Sequence, residues 1–336
     1  MEAIIANILS LIGTLLVIMY GASFLTDGAA SIARKMRVSP LVVGLTILSI
    51  GTSTPELAVS LSAAAAGSTN MAIGNIVGSN TMNILLILGI TAMIAPIAVA
   101  KSTAKVEIPF LLVLSLIFFL QAKPSIWGSD PSLDVIERRE GLMLLLLFLM
   151  FWVYVFRLAR KSKPDLVEDL DDSIPVYSWG LSIALIIVGL IMLSIGGQVF
   201  IRNASFIASM LHVSEAVIGV TIVAFGTSIP ELATTLVAAR KGQADMAVGN
   251  VVGSNIFNIM LIGGTVSTIM PQHTQQLTTF DFIVMIVAVV LLLLSTLFLR
   301  RRVIDRAEGF VMLMVYIAYT VLLVLNVTGV MPPLLP

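Results

Sequence analysis

GTSTPELAVSLSAAAAGSTNMAIGNIVGSNTMNILLILG, residues 51–89, returns 175 residues later as GTSIPELATTLVAARKGQADMAVGNVVGSNIFNIMLIGG, residues 226–264, without a gap and with 24 of 39 positions identical. Agreement of that quality is an internal repeat, the unit from which many transporter folds are built. Upstream the match continues more loosely, with VSPLVVGLTI (38–47) over VSEAVIGVTI (213–222). Each copy sets a glycine, hydroxyl residues, a proline and a glutamate inside an otherwise apolar run. A charge at bilayer depth costs about 2.5 kcal/mol or more, and proline gives up a helical hydrogen bond. Residues kept at such a cost point to function.

The surrounding composition puts the repeat in a membrane. Of 336 residues 58% are hydrophobic and only 11% charged, with mean hydropathy +1.05, whereas soluble domains carry about a quarter charged residues. The apolar runs suit helices of about 20 residues and not the short alternating segments of a β-barrel. Hydropathy predicts about ten spans, near 4–25, 41–66, 72–97, 106–120, 141–156, 178–199, 216–239, 247–270, 282–298 and 310–325. The first reads as a retained span, since neither a basic leader nor a cleavage site accompanies it. Formal net charge is zero, and no basic patch with aromatics suggests a nucleic-acid partner. With no cysteine and with His212 and His273 far apart, soft-metal and thiolate chemistry is not expected; the 17 methionines read as gap-fillers.

The hydrophilic stretch RLARKSKPDLVEDLDDS, 157–173, divides the chain into a first five-helix half (1–160), a charged cytoplasmic linker (161–175) and a second five-helix half (176–336). With the N-terminus outside, the inner loops hold 15 of the 19 Lys and Arg residues and the outer loops four, as the positive-inside rule requires. Both termini are therefore expected outside. Five spans is an odd number, so the second half crosses the membrane in the opposite sense, making inverted-topology repeats.

In such a repeat the two copies of a motif meet near the midplane. Gly51-Thr52-Ser53 and Pro55-Glu56 then face Gly226-Thr227-Ser228 and Pro230-Glu231, and two carboxylates share one pocket. A cation between them relieves both repulsion and desolvation. Carboxylates, hydroxyls and freed carbonyls are hard oxygen donors that suit Ca²⁺ or Na⁺. A second motif follows in each half, GNIVGSNTMN (74–83) and GNVVGSNIFN (249–258). Asn75, Ser79 and Asn83 fall at i, i+4 and i+8, as do Asn250, Ser254 and Asn258, so each helix carries one polar stripe. Gly74 and Gly78, with Gly249 and Gly253, read as small-residue packing faces. Asn75, Asn80, Asn250 and Asn255 read equally well as interhelical glue or as site residues.

The paired GTS-x-PE and GN-x-x-GSN-x-x-N motifs resemble the two α-repeats of the cation/calcium exchanger superfamily, particularly its prokaryotic sodium/calcium exchanger branch. That resemblance implies an all-α membrane fold of two inverted five-helix halves around four central cation sites. It implies a calcium site of Glu56, Glu231, Thr52 and Thr227. Flanking sodium sites would use Ser53, Ser228, Ser79 and Ser254 with main-chain oxygens at Ser49 and Ala224, and Asn83 and Asn258 would join the glutamates around the middle position. Some relatives carry an acidic residue at the positions of Asn83 or Asn258, and potassium-dependent ones place an Asp in the second repeat. Two asparagines here leave two formal charges and argue for K⁺ independence. Proton-coupled members usually show GN-x-x-E where this chain has GTS-x-PE, which favours sodium.

The reading is a plasma-membrane antiporter exchanging cytoplasmic Ca²⁺ for external Na⁺, about three Na⁺ per Ca²⁺, with no bound cofactor, no obligate protein partner and no enzymatic step. The alternative within transport is a Ca²⁺/H⁺ antiporter. A passive cation channel would line a symmetric oligomer's pore, whereas here the symmetry lies within one chain. An intramembrane hydrolase needs a nucleophile and base or a metal triad, and neither histidine is near a motif.

Overall fold

The computed structural model describes residues 2–128, 130–161, 176–210, 213, 217, 221–222, 224–275, 277–299 and 302–330. Its helices are α1 (Glu2–Met36), α2 (Pro40–Thr52), α3 (Thr54–Ala65), α4 (Thr69–Ile94), α5 (Thr103–Ala122), α6 (Arg138–Lys161), α7 (Trp179–Met210), α8 (Ala224–Thr227), α9 (Ile229–Arg240), α10 (Ala244–Ile269), α11 (Thr279–Leu297) and α12 (Arg306–Val327). Eight are long and apolar enough to cross a membrane, and the bent pair α2–α3 makes nine among the described residues. Ten was expected. The seventh predicted span, 216–239, begins in residues that are largely outside those described, and only its end appears, as α8 and α9. His212 and most of the 161–175 linker also lie outside the described residues.

The first and sixth spans run well past their predicted ends. α1 continues to Met36 and α7 to Met210, and part of each extension is covered by the partner helix, Gly28 and Ser31 of α1 by α7 and Asn203 of α7 through its amide bond to Ser10 Oγ at 2.7 Å. Gly28 lets α1 approach the Ser182 carbonyl, where an added Cβ would stand 2.6 Å away, and the Ser31 and Ser182 hydroxyls hydrogen-bond at 2.8 Å. At 1.5 Å per residue the 35 residues of α1 reach about 52 Å, far beyond a hydrocarbon core of about 30 Å. The pair forms its own apolar cluster, in which Ile18, Ala22 and Leu25 of α1 and Leu193 of α7 meet Ile229, Ala233 and Val237 of α9.

The central helices are α4 and α10, buried over most of their length. Their sequences are weakly amphipathic because every face meets protein, as expected of a core helix. The last helix of each half lies against the other half. α6 packs on the end of α10 through Gly141 and Gly264, and α12 on the end of α4 through Gly309 and Gly89. Two antiparallel bridges that sequence reading did not anticipate reinforce this exchange. β1 (Ile97–Ala98) pairs with β4 (Val303–Ile304), and β2 (Val135–Ile136) pairs with β3 (Gln272–His273). Each ties the exit of one half's central helix to the entry of the other half's last helix, satisfying backbone groups where the helices stop. His273 thus sits in a bridge at a helix end.

One asymmetry breaks the repeat. Ile229, Ala233 and Val237 on α9 are buried under α1, whereas their counterparts Thr54, Ala58 and Ser62 on α3 are exposed. An ion pair, Lys241 Nζ to Asp27 Oδ1 at 2.7 Å, fastens the end of α9 to α1.

Candidate functional site

The chain turns at Ser53 (φ −84°, ψ 5°), where α2 and α3 meet at a 45° bend. Pro55 has no N–H to return to the Gly51 carbonyl four residues back, so the helix cannot run through. Ser228 (φ −94°, ψ 7°) makes the same turn before Pro230. Each turn starts a new helix with a glutamate in its first turn, Glu56 on α3 and Glu231 on α9, where the unpaired N–H groups favour negative charge.

The two turns meet crosswise. Ser53 Oγ donates to Glu231 Oε1 at 3.3 Å, and Ser228 Oγ donates to Glu56 Oε1 at 3.4 Å. Both carboxylates are buried, Glu56 at 1% and Glu231 at 0% exposure. Thr52 lies beside Glu231 and donates its hydroxyl to Asn250 Oδ1 at 3.4 Å; Thr227 is also buried. Ser49 is buried, its carbonyl accepting the Ser53 N–H at 3.0 Å. In the second copy Ser228 N–H bonds the Phe225 carbonyl instead, one residue past Ala224. Ser79 and Ser254 are buried on α4 and α10.

Asn83 and Asn258 each begin a π-helical turn, Asn83–Leu88 and Asn258–Gly263, a local widening common at functional sites. Their amide nitrogens are taken up by the neighbouring half. Asn83 Nδ2 donates to Asn255 Oδ1 at 2.9 Å and Asn258 Nδ2 to Asn80 Oδ1 at 3.1 Å. The amide oxygens receive no donor. The buried side-chain atoms without a hydrogen-bond partner among the described residues include five here, Glu56 Oε2, Glu231 Oε2, Asn83 Oδ1, Asn258 Oδ1 and Ser254 Oγ, besides others elsewhere such as Glu107 Oε2 and Gln272 Oε1. The first four can only accept when the carboxylates are ionised, and a buried acceptor left unmet costs roughly 1–3 kcal/mol. Those four acceptor oxygens, with two formal charges and no donor among them, are the complement of a hard cation.

The glycines of the second motif do what their spacing predicts in the second half: Gly249 faces the Leu41 carbonyl, and Gly253 faces Ser49, with an added Cβ 2.9 Å from each. In the first half Gly78 has open space beside it among the described residues. The Asn75 and Asn250 amides donate at 3.0 Å to Ser60 Oγ and Thr235 Oγ1, which links neighbouring helices, while Asn250 Oδ1 also receives the Thr52 hydroxyl. The linkage of Asn80 and Asn255 to the neighbouring asparagines was not foreseen, although recurrence of both in the 175-residue repeat was a signal.

The family model for the sodium/calcium exchanger protein matches residues 6–157 and 181–325. The chain belongs to the sodium/calcium exchanger family. Relatives include the putative antiporter CaxA of Alkalimonas amylolytica, 40% identical over 95% of this chain and 99% of that protein, and the sodium/calcium exchanger MaX1 of Methanosarcina acetivorans, 32% identical over 95% and 99%. Among solved structures, the sodium-calcium exchanger NCX_Mj soaked with Na⁺ and Ca²⁺ superposes with a TM-score of 0.77 at 32% identity, covering 94% of this chain and 97% of that one. The exchanger is thus a multi-pass, all-α membrane protein and a cation/calcium antiporter, in a family of transporters and not of enzymes.

Proposed function

We propose that this antiporter exports cytoplasmic Ca²⁺ in exchange for external Na⁺ by alternating access in the plasma membrane, with both termini outside. The supporting observation is the group of four unpartnered acceptor oxygens, Glu56 Oε2, Glu231 Oε2, Asn83 Oδ1 and Asn258 Oδ1, shared between the two halves. Two carboxylates neutralise one Ca²⁺. In this reading Glu56 and Glu231 with Thr52 and Thr227 hold Ca²⁺, while Ser53, Ser228, Ser79 and Ser254 with the Ser49 and Ala224 carbonyls serve flanking Na⁺ positions around the asparagines.

Access follows from the asymmetry between the copies. The small and polar face Thr54, Ala58 and Ser62 is exposed, and its apolar counterpart is capped by α1. If the Lys and Arg bias sets the α1–α9 contact at the cytoplasmic side, the uncovered α3 face lies on the outer side, and in this reading the buried pocket opens there. The α1–α7 pair, which meets α9 through an apolar cluster and one ion pair and bears no site residue, slides across the motif helices to exchange one opening for the other. Ca²⁺ flux in proteoliposomes under imposed Na⁺, H⁺ or K⁺ gradients tests this. A Na⁺ gradient alone is expected to drive Ca²⁺ uphill. Drive by H⁺ alone assigns the exchanger to proton coupling, and an absolute requirement for K⁺ overturns the ion assignment.

A further inference from the structure

Four buried asparagines, Asn80, Asn83, Asn255 and Asn258, join α4 to α10 where the two halves meet. Asn255 Nδ2 donates to the main-chain carbonyl of Asn80 at 3.1 Å, and Asn80 Nδ2 donates to the main-chain carbonyl of Asn255 at 3.3 Å. A carbonyl only accepts, so both of these amides must turn their nitrogens toward the opposite backbone. Their oxygens then point the other way. Asn255 Oδ1 receives Asn83 Nδ2 and Asn80 Oδ1 receives Asn258 Nδ2. An oxygen acceptor in turn obliges Asn83 and Asn258 to present nitrogen to it, which leaves the Oδ1 atom of each without a donor. Two backbone carbonyls therefore set the orientation of all four amides.

We propose that Asn80 and Asn255 are positioning residues that select which atom Asn83 and Asn258 offer to the transported cation, and that they thereby exclude a charged carboxylate from those two positions. The inference deepens the proposed function and rests on its cation pocket. An amide has nearly the same shape when turned over, so packing alone does not choose between its oxygen and its nitrogen. Turned the wrong way, Asn83 would direct two donors at a cation. A carboxylate at position 83 would set an oxygen against Asn255 Oδ1, which cannot yield because its own nitrogen is committed to the Asn80 carbonyl. Only a protonated, neutral acid satisfies that contact. The pocket is thus held to the two formal charges of Glu56 and Glu231.

Calorimetric Ca²⁺ binding to the purified full-length protein, with size-exclusion profiles to confirm folding, tests the proposal. Asn255→Ala is expected to weaken Ca²⁺ binding about 10- to 100-fold, the usual effect of removing a group that orients a metal ligand. Asn83→Asp in the otherwise native protein brings no gain in affinity, although it adds a potential ligand charge. Joined to Asn255→Ala, the same substitution returns affinity to the native level or above, because an unrestrained carboxylate offers oxygen in either orientation. A merely structural Asn255 would leave the double variant no better than Asn255→Ala. Native affinity in Asn255→Ala, or an equal effect of Asn83→Asp in both backgrounds, overturns the proposal. The mirror set, Asn80→Ala with Asn258→Asp, gives the same reading should Asn255→Ala not fold, and Asn83→Asp alone depends on neither. Glu56→Gln separates two failures. If it retains Ca²⁺ binding, the pocket itself is misassigned; if it loses binding while the background dependence is absent, only the positioning role falls.

Discussion

A membrane potential of 100 mV, negative on the cytoplasmic side, is expected to steepen the Ca²⁺ gradient this exchanger sustains by about fiftyfold. The magnitude follows from the proposed exchange of three Na⁺ for one Ca²⁺, and the charges that line the proposed pocket are the reason for that count. Glu56 and Glu231 are its formal charges, while Thr52, Ser53, Asn83, Ser228, Ser254 and Asn258 are neutral. The ion pairs Lys123–Asp134, Arg139–Glu137 and Lys241–Asp27 lie at helix ends or in loops, and the buried Glu107 on α5 is bonded by Tyr154 away from the site. One Ca²⁺ therefore brings the pocket to zero, whereas three Na⁺ leave it at about +1. A cycle that moves three Na⁺ against one Ca²⁺ carries one net charge, worth about 2.3 kcal/mol per 100 mV. At about 1.4 kcal/mol per tenfold, that energy is the fiftyfold change in the gradient. The assay clamps proteoliposomes with K⁺ and valinomycin at several potentials under a fixed Na⁺ gradient and reads the Ca²⁺ ratio at zero net flux. A ratio indifferent to potential would refute the charge argument and indicate two monovalent ions per Ca²⁺.

Glu56→Gln and Glu231→Gln keep shape and remove charge, so each is expected to abolish Ca²⁺ flux while the purified protein stays monodisperse; native flux in either variant removes the shared pocket. The chain has no cysteine, which makes Ala22→Cys with Ala233→Cys a clean pair for a short bifunctional reagent between α1 and α9. Crosslinking there should stop exchange and leave Ca²⁺ binding by calorimetry intact, and exchange that continues in fully crosslinked protein counts against the sliding pair. Gly44→Ala puts a Cβ 2.6 Å from the Met246 carbonyl and 3.0 Å from Gly249 Cα. Backbone cannot yield as a side chain does, so a loss of about 1–3 kcal/mol in stability is expected, read as a lowered unfolding temperature, and an unchanged temperature would show that α2 and α10 can part at no cost.

Much of this molecule is legible in one dimension. Hydropathy identifies the bilayer as the solvent, because a backbone in lipid must satisfy itself and helices do so locally. The 175-residue repeat, with an odd number of spans in each half, brings Glu56 to Glu231 and Ser53 to Ser228, and the crossed hydrogen bonds between those pairs follow from that symmetry. Three features required the tertiary structure. The reach of α1 to Met36 depends on burial of Gly28 and Ser31 against α7, since residues polar enough to end a hydropathy window stay helical when another helix covers them. The amide orientations at Asn80, Asn83, Asn255 and Asn258 depend on two backbone carbonyls from the opposite half, and a side chain's hydrogen-bond direction is not a property of its own residue type. Finally, two near-identical motifs cannot state which of them is capped. Covering Ile229, Ala233 and Val237 with α1 while Thr54, Ala58 and Ser62 stand exposed is a choice between two packings of nearly the same surfaces, and it is made only when the long helices settle on one side.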